Sequence, residues 1–306
     1  MLFSAVELGI FEALPSAVGS DNSGDDEGVT AAVLSVTLGT DEDALTRLLD
    51  ACVGLGMLAH KGGDSPSRYR HTATSATFLT AGGNESMVGY IHHSQKLLYP
   101  LWGDLAGAVR EGSNRWHSVF GRDSADVFAS VYSSKADLDR FVASMHSFGS
   151  ASSPLVVTAY DLGRFRHLVD VGGGTGHLAA AATTAWPGLA ATVLELPAVT
   201  ASTREYIANM GATDRVSVAE VDFFADSVWP LPRDADIISF GRILHDWGET
   251  DCELILRRAC AHLPIGGGVL LAEMLLDEDK RGPVSAQLQS LNMLVQTKGK
   301  ERSGSE

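Results

Sequence analysis

The sequence predicts an α/β protein. A Rossmann-like, doubly wound parallel sheet fills residues 151–306, and a mostly helical, winged-helix-like region precedes it over residues 1–150. Three observations carry this expectation. Beyond residue 165, short apolar runs alternate with longer helical segments, the βαβ rhythm of a parallel sheet covered on both faces. A glycine-rich turn, Asp170-Val171-Gly172-Gly173-Gly174-Thr175-Gly176, joins the first run to the first segment. Upstream, apolar residues recur at helical spacing until two short runs flank a glycine pair, as in a hairpin.

The N-terminal elements follow from that spacing. Leu2, Ala5, Val6, Leu8, Ile10, Phe11 and Leu14 mark a first helix. A Gly/Ser/Asp-rich loop spans residues 16–28. Residues 30–38 form a short helix, and Asp41, or Thr40 before it, caps another carrying Leu45, Leu48, Leu49 and Val53. Residues 57–59 and 67–70 flank Gly62-Gly63. Helix, helix, helix, hairpin is a winged-helix pattern, which often binds DNA. The charges argue otherwise. Residues 41–55 carry Asp41, Glu42, Asp43 and Asp50 against one Arg47, whereas a groove-reading helix is basic. Dimerisation and shaping of a substrate pocket are the expected use. Residues 84–150 read as longer helices, with Trp102, Leu105, Ala106 and Val109 on one face and a helix at 139–148. Strands are then expected at 167–171, 191–195, 216–221, 237–240 and 268–273, and helices at 177–185, 198–210, 249–262 and 283–296.

Length and composition bound the function. The 306 residues allow two domains, and a hydrophobic share of 45% supports a substantial core. No run of 18 apolar residues marks a membrane span, and Met1-Leu2-Phe3-Ser4 lacks a signal peptide's basic region. Cys52, Cys252 and Cys260 show neither metal nor disulfide spacing, which fits a reducing, cytoplasmic setting. A net charge of −15 argues against binding a phosphate backbone.

The glycine turn carries the first functional reading. Glycines between strand and helix let a ligand approach the backbone, and the helix N-terminus adds a positive dipole end. The spacing is G-x-G-x-G, and His177 stands where a dinucleotide fingerprint needs its last glycine. Glu195 closes the next strand, about 20 residues on, where a carboxylate suits two ribose hydroxyls. Together these point to S-adenosylmethionine rather than NAD. Other polar residues fall at strand ends, where such sheets bind ligands: Asp222, Arg242 to Asp246, and Glu273. Tyr132 precedes the 139–148 helix, and an aromatic ring near a sulfonium contributes about 0.5–2 kcal/mol; a packed tyrosine is the plainer reading.

The second motif is Arg242-Ile243-Leu244-His245-Asp246-Trp247. A histidine at a strand end beside a carboxylate can serve as a general base near neutral pH, or be a buried, hydrogen-bonded histidine. The glycine turn, Asp222-Phe223-Phe224, this motif and Gly299-Lys300-Glu301-Arg302 occur in the order seen in the plant-type, class II small-molecule O-methyltransferases. The chain resembles that family along nearly its whole length. Val109 to Gly112, Leu275 to Pro283 and Ser290 to Thr297 resemble its vertebrate hydroxyindole branch.

The resemblance implies roles residue by residue. His245 matches the catalytic base, and Glu273 and Glu301 the carboxylates that orient it. Glu195 matches the ribose-binding acid, where the branch usually has Asp. Gly172 and Gly174 lie in the cofactor turn; Asp222 and Phe223 match residues around the adenine, and Arg242 and Tyr132 further cofactor contacts. Asp246, Asn292 and Gln296 match positions that hold the acceptor, and the last two share a helix face at i, i+4. The implied reaction is methyl transfer from S-adenosylmethionine to a hydroxyindole or phenol, foremost N-acetylserotonin, by a homodimer with no metal. The rival class is a binding or regulatory protein that keeps cofactor affinity without catalysis; the His245, Glu273 and Glu301 set favours the enzyme. The chain starts inside the family's first helical region and stops soon after Arg302. The resemblance therefore implies a shortened form with an exposed sheet edge, Glu301 on an untethered tail, and weak activity.

Overall fold

The computed structural model describes residues 1–15, 28–61, 66–83, 85–121, 128, 131–132 and 134–306. The expected Gly62-Gly63 turn and nearly all of the 16–28 loop lie outside them. The chain forms two compact units, Met1–Gln95 and Lys96–Glu306.

In the first unit the expected opening helix is two: α1 (Leu2–Glu7) and α2 (Ile10–Ala13). Gly9, at φ +74°, separates them, a conformation that glycine adopts without steric cost. Next come β1 (Val29–Thr30), α3 (Ala31–Leu38) and α4 (Glu42–Gly54). Asp41 caps α4, its Oδ1 accepting from the Ala44 amide at 2.9 Å. The hairpin strands β2 (Leu58–Lys61) and β3 (Arg68–His71) pair antiparallel, with β1 on the far side of β3. Tyr69 is buried, and its hydroxyl donates to Asp50 at 2.8 Å. The short helices α5 (Ala73–Phe78) and α6 (Val88–His93) complete the unit.

The second unit begins with α7 (Tyr99–Gly103), α8 (Leu105–Glu111) and α9 (Trp116–Phe120). The sequence reading sets its division near residue 150, where the βαβ rhythm starts; the contacts divide at 95/96. The cause is long-range: α7 to α9 pack on α14 (Val284–Gln296), where Trp102 Nε1 donates to Asn292 Oδ1 at 2.9 Å and Trp116 Nε1 to the Gln296 carbonyl at 2.8 Å. The expected 139–148 helix is part of α10 (Lys135–Thr158), which runs through Pro154. Just before the proline, the Ser152 and Ser153 hydroxyls donate to the carbonyls of Phe148 and Gly149.

The sheet is parallel, in the order β6 (Val216–Glu220), β5 (Ala190–Glu195), β4 (His167–Val171), β7 (Ile237–Gly241), β8 (Gly268–Ala272). Successive side chains face opposite sides. Leu168, Val193 and Ile237 join the core with α10, α11 (His177–Ala185) and α12 (Thr200–Asn209). Val169, Leu194, Ile238 and Phe240 join the other core with α13 (Glu249–His262). β4 lies at the centre, buried along its length, which places its glycine turn at the middle of the carboxyl edge. At the end of the order, β8 exposes Leu271. No helix among the described residues is long and apolar enough to cross a membrane.

Candidate active site

The glycine turn is shaped by what surrounds it. Gly172, Gly174 and Gly176 have φ of +67°, +57° and +76°. A Cβ on Gly173 would lie 2.4 Å from Asp170 Oδ2, and one on Gly176 2.9 Å from Ile207, whereas Gly174 opens onto free space. Asp170 is buried; Ser239 Oγ donates to its Oδ1 at 2.7 Å, and its Oδ2 has no partner. Burial pushes this carboxyl up to about 7, although the Ser239 bond opposes it. Glu195 ends β5 beside the turn. Its Oε1 accepts from the Gly174 amide at 3.1 Å and its Oε2 from the Leu196 amide at 2.6 Å. Burial pushes it too up to about 7, against those two bonds. A bare backbone at Gly174 next to an oriented carboxylate is a cradle for a ribose, so these residues fit an adenosine ligand.

Asp222 caps its own turn: its Oδ1 accepts from the amides of Phe224 at 2.9 Å and Ala225 at 3.0 Å. Phe223 sits 3.8 Å from the place of a Gly172 Cβ. Its carbonyl, with those of Phe224 and Asp226, accepts from Arg258 Nη1 at 2.6, 3.0 and 2.9 Å. Phe223 and Phe224 meet Trp247 edge-on; Trp247 stacks on Phe128, and Phe128 meets Tyr132 at 6.0 Å. An aromatic chain thus links Tyr132 to the Asp222 loop and to the turn bearing His245. Arg242 has φ +59°, a strained backbone for a residue with a side chain. Its guanidinium carbon stands 3.6 Å over the Phe148 ring.

His245 lies in a tight turn, Leu244–Asp246, at the carboxyl end of β7. It is 7% exposed, so its surroundings decide its charge. The Glu301 Oε1 is 2.8 Å from its Nδ1 and the Glu273 Oε2 3.7 Å; the Asp246 Oδ1 is 3.8 Å from its Nε2. Burial alone pulls the imidazole down, but Asp246, Glu301 and Glu273 outweigh it and push it up to about 9. Glu273 also holds the backbone: its Oε1 accepts from the amides of Ile243 at 3.0 Å and Leu244 at 2.8 Å. Oε2 of Glu273 and of Glu301 are buried without hydrogen-bond partners. One ligand atom from each of His245, Glu273 and Glu301 falls within 4.8 Å of the others, a donor set that could hold a metal ion. Nδ1 and Oε1 are at hydrogen-bond distance, however, closer than the about 3.3 Å of two ligands on one tetrahedral zinc. An imidazole hydrogen-bonded to Glu301, with Glu273 in ion-pair range, is the better description.

One expectation changes. Glu301 is not on an untethered tail. It is 2% exposed, its amide donates to Ser290 Oγ at 3.3 Å, and Leu276 pairs with Ser303 beyond β8. Asn292 and Gln296 share α14, as expected, and both amides make hydrogen bonds. Asn292 Oδ1 accepts from Trp102, and Gln296 Nε2 donates back to the Asn292 carbonyl at 3.2 Å. Sequence reasoning missed Arg258, Phe148 and Arg302.

A parallel sheet with its glycine turn, an oriented acid at the next strand end and a histidine between carboxylates define an S-adenosylmethionine-dependent O-methyltransferase. The chain belongs to that family: residues 102–306 match the O-methyltransferase domain and residues 1–81 the O-methyltransferase dimerisation domain. It is 37% identical over 302 residues to the acetylserotonin O-methyltransferase of Homo sapiens, covering 99% of this chain and 84% of the relative. It is 38% identical over 306 residues to that of Gallus gallus, covering 100% and 85%. The structure matches human N-acetylserotonin methyltransferase in complex with S-adenosylmethionine at a TM-score of 0.90, with 35% identity and coverage of 99% of this chain and 83% of that one.

Proposed function

We propose that this chain transfers a methyl group to the hydroxyl of a hydroxyindole, N-acetylserotonin first, with His245 as general base. The observation that carries this is the 2.8 Å bond between His245 Nδ1 and buried Glu301. It engages Nδ1–H and leaves Nε2 as the nitrogen for the acceptor's proton, as an oriented acid does in a Ser-His-Asp triad. Bound S-adenosylmethionine supplies an electrophilic methyl on a sulfonium. The acceptor hydroxyl has a pKa near that of tyrosine, about 10, so it needs a base at neutral pH. His245 Nε2 takes its proton, and Glu301 and Glu273 stabilise the imidazolium. With its imidazole pushed up to about 9, the free enzyme must first lose that proton, so kcat/KM rises with pH toward 9.

Gly172, Gly174 and Glu195 hold the ribose side of the cofactor, Asp222 and Phe223 the adenine, and Arg242 and Tyr132 the remainder. Asp246, Asn292 and Gln296 hold the acceptor. The winged-helix-like region pairs two copies, and the enzyme works in the cytoplasm. The test joins calorimetric titration with S-adenosylhomocysteine to a methyl-transfer assay on N-acetylserotonin, for the parent and His245→Asn. Titration is expected to be unchanged while transfer falls by about 10²–10⁴-fold. Equal turnover by both proteins removes His245 from the mechanism.

A further inference from the structure

The turn that carries His245 is gripped from both sides, and one side is explained by no role so far assigned. Glu273 takes its amides. Its carbonyls belong to Arg302: Nη1 donates to the Leu244 carbonyl at 3.0 Å and Nη2 to the Trp247 carbonyl at 3.0 Å. These carbonyls bracket His245 and Asp246. The Cys252 thiol reaches the same pair at 3.2 and 3.5 Å, but a thiol is a weak donor. Arg302 itself is fixed, because its own carbonyl accepts from the Leu276 amide at 2.9 Å. The segment lies so close to the turn that a Cβ on Gly299 would fall 2.0 Å from the His245 carbonyl. Residues 301 and 302 thus divide the work: the odd position meets the imidazole, the even one the backbone that bears it.

We propose that Arg302 is a positioning residue for the base, clamping both ends of the His245 turn so that the imidazole stays in register with Glu301. This rests on the reading of His245 as the base. A planar guanidinium suits the task, because its two nitrogens meet two carbonyls in a fixed fork, which an ammonium cannot. The groups facing the imidazole are Asp246 on the turn, Glu273 at the end of β8 and Glu301 on the C-terminal segment. Their distances keep it protonated to high pH, so a loosened turn registers in the pH profile.

The experiment compares Arg302→Gln, Arg302→Lys and His245→Asn with the parent. It reads kcat, the KM for N-acetylserotonin, the Kd for S-adenosylhomocysteine and the acid limb of kcat/KM. For Arg302→Gln, kcat is expected to fall by about 100-fold, the cost of roughly 1 Å of misplacement. The acid limb moves to lower pH, and the Kd stays within about twofold. Arg302→Lys recovers part of kcat and, if the glutamine variant fails to fold, tests the clamp alone through the same limb shift. A folded Arg302 variant with parental kcat and limb overturns the proposal. So does one that loses kcat and melting temperature while the limb stays in place, since that is a scaffold defect. If His245→Asn is as active as the parent, the base reading has failed instead. If it is inactive while Arg302→Gln is normal, only the clamp has failed.

Discussion

Glu301→Gln isolates the charge that the triad depends on. The side chain is fully buried and its Oε1 is 2.8 Å from His245 Nδ1, so no solvent screens the pair. Glutamine keeps the size and a carbonyl oxygen for Nδ1–H but removes the negative charge. A hydrogen bond to a charged group is worth about 1.5–3 kcal/mol, so stabilisation of the imidazolium drops by about that much and kcat by about 10–100-fold. The assay is steady-state methyl transfer at saturating cofactor and acceptor, repeated from pH 6 to 10. Glu301 touches neither the glycine turn nor Glu195, so the Kd for S-adenosylhomocysteine holds. Glu273→Gln is the control. Its Oε1 serves two backbone amides, which a glutamine carbonyl can still serve, and its loss is smaller. Stability gives a second readout. The folded imidazole is pushed above its ordinary 6.5 to about 9. The ion pair therefore stabilises fully below about 6.5 and fades as pH rises through about 9. The melting deficit of Glu301→Gln is larger at pH 6 than at pH 9.5. A variant within twofold of the parent, or a larger loss in Glu273→Gln, refutes the assignment.

Two further outcomes follow. Glu195 accepts ribose hydroxyls best when ionised, and its carboxyl is pushed up to about 7. Affinity for S-adenosylhomocysteine therefore weakens by up to tenfold per pH unit below about 7, and a titration series with constant Kd from pH 5.5 to 8 contradicts this. Trp102→Phe removes the donor at 2.9 Å from Asn292 Oδ1. Since indole N–H only donates, the bond fixes which way that amide faces. The KM for N-acetylserotonin is expected to rise about tenfold, from about 1–3 kcal/mol of lost orientation. kcat is expected to hold, and an unchanged KM contradicts the role proposed for Asn292.

The part of the fold that carries the glycine turn was legible because its logic is local. The glycines, the acid at the second strand end and the strands themselves follow one another within a single βαβ unit, and β4, α11 and α13 fall on the expected residues. What was not legible depends on partners far away in the chain. Trp102 and Asn292 are 190 positions apart, so the pattern of α7 could not say that it packs on α14. Glu301 looked untethered because the bonds that bury its segment run to Ser290, Leu276 and the His245 turn, none of them within helical or strand spacing. The break at Gly9 and the length of α10 show the same limit on a smaller scale. A left-handed glycine inside an apolar period and a proline inside a helix are settled by backbone geometry, which periodicity does not record.

The 56 positions between His245 and Glu301 also set an order of events during synthesis. Ribosomes add about 5–20 residues per second, so roughly 3–11 s separate the emergence of the base from that of its partner. Asp170, Glu195 and Arg242 all precede that interval. The glycine turn and the acid beside it are therefore synthesised before the residues that grip the His245 turn, so the two halves of the site are completed one after the other.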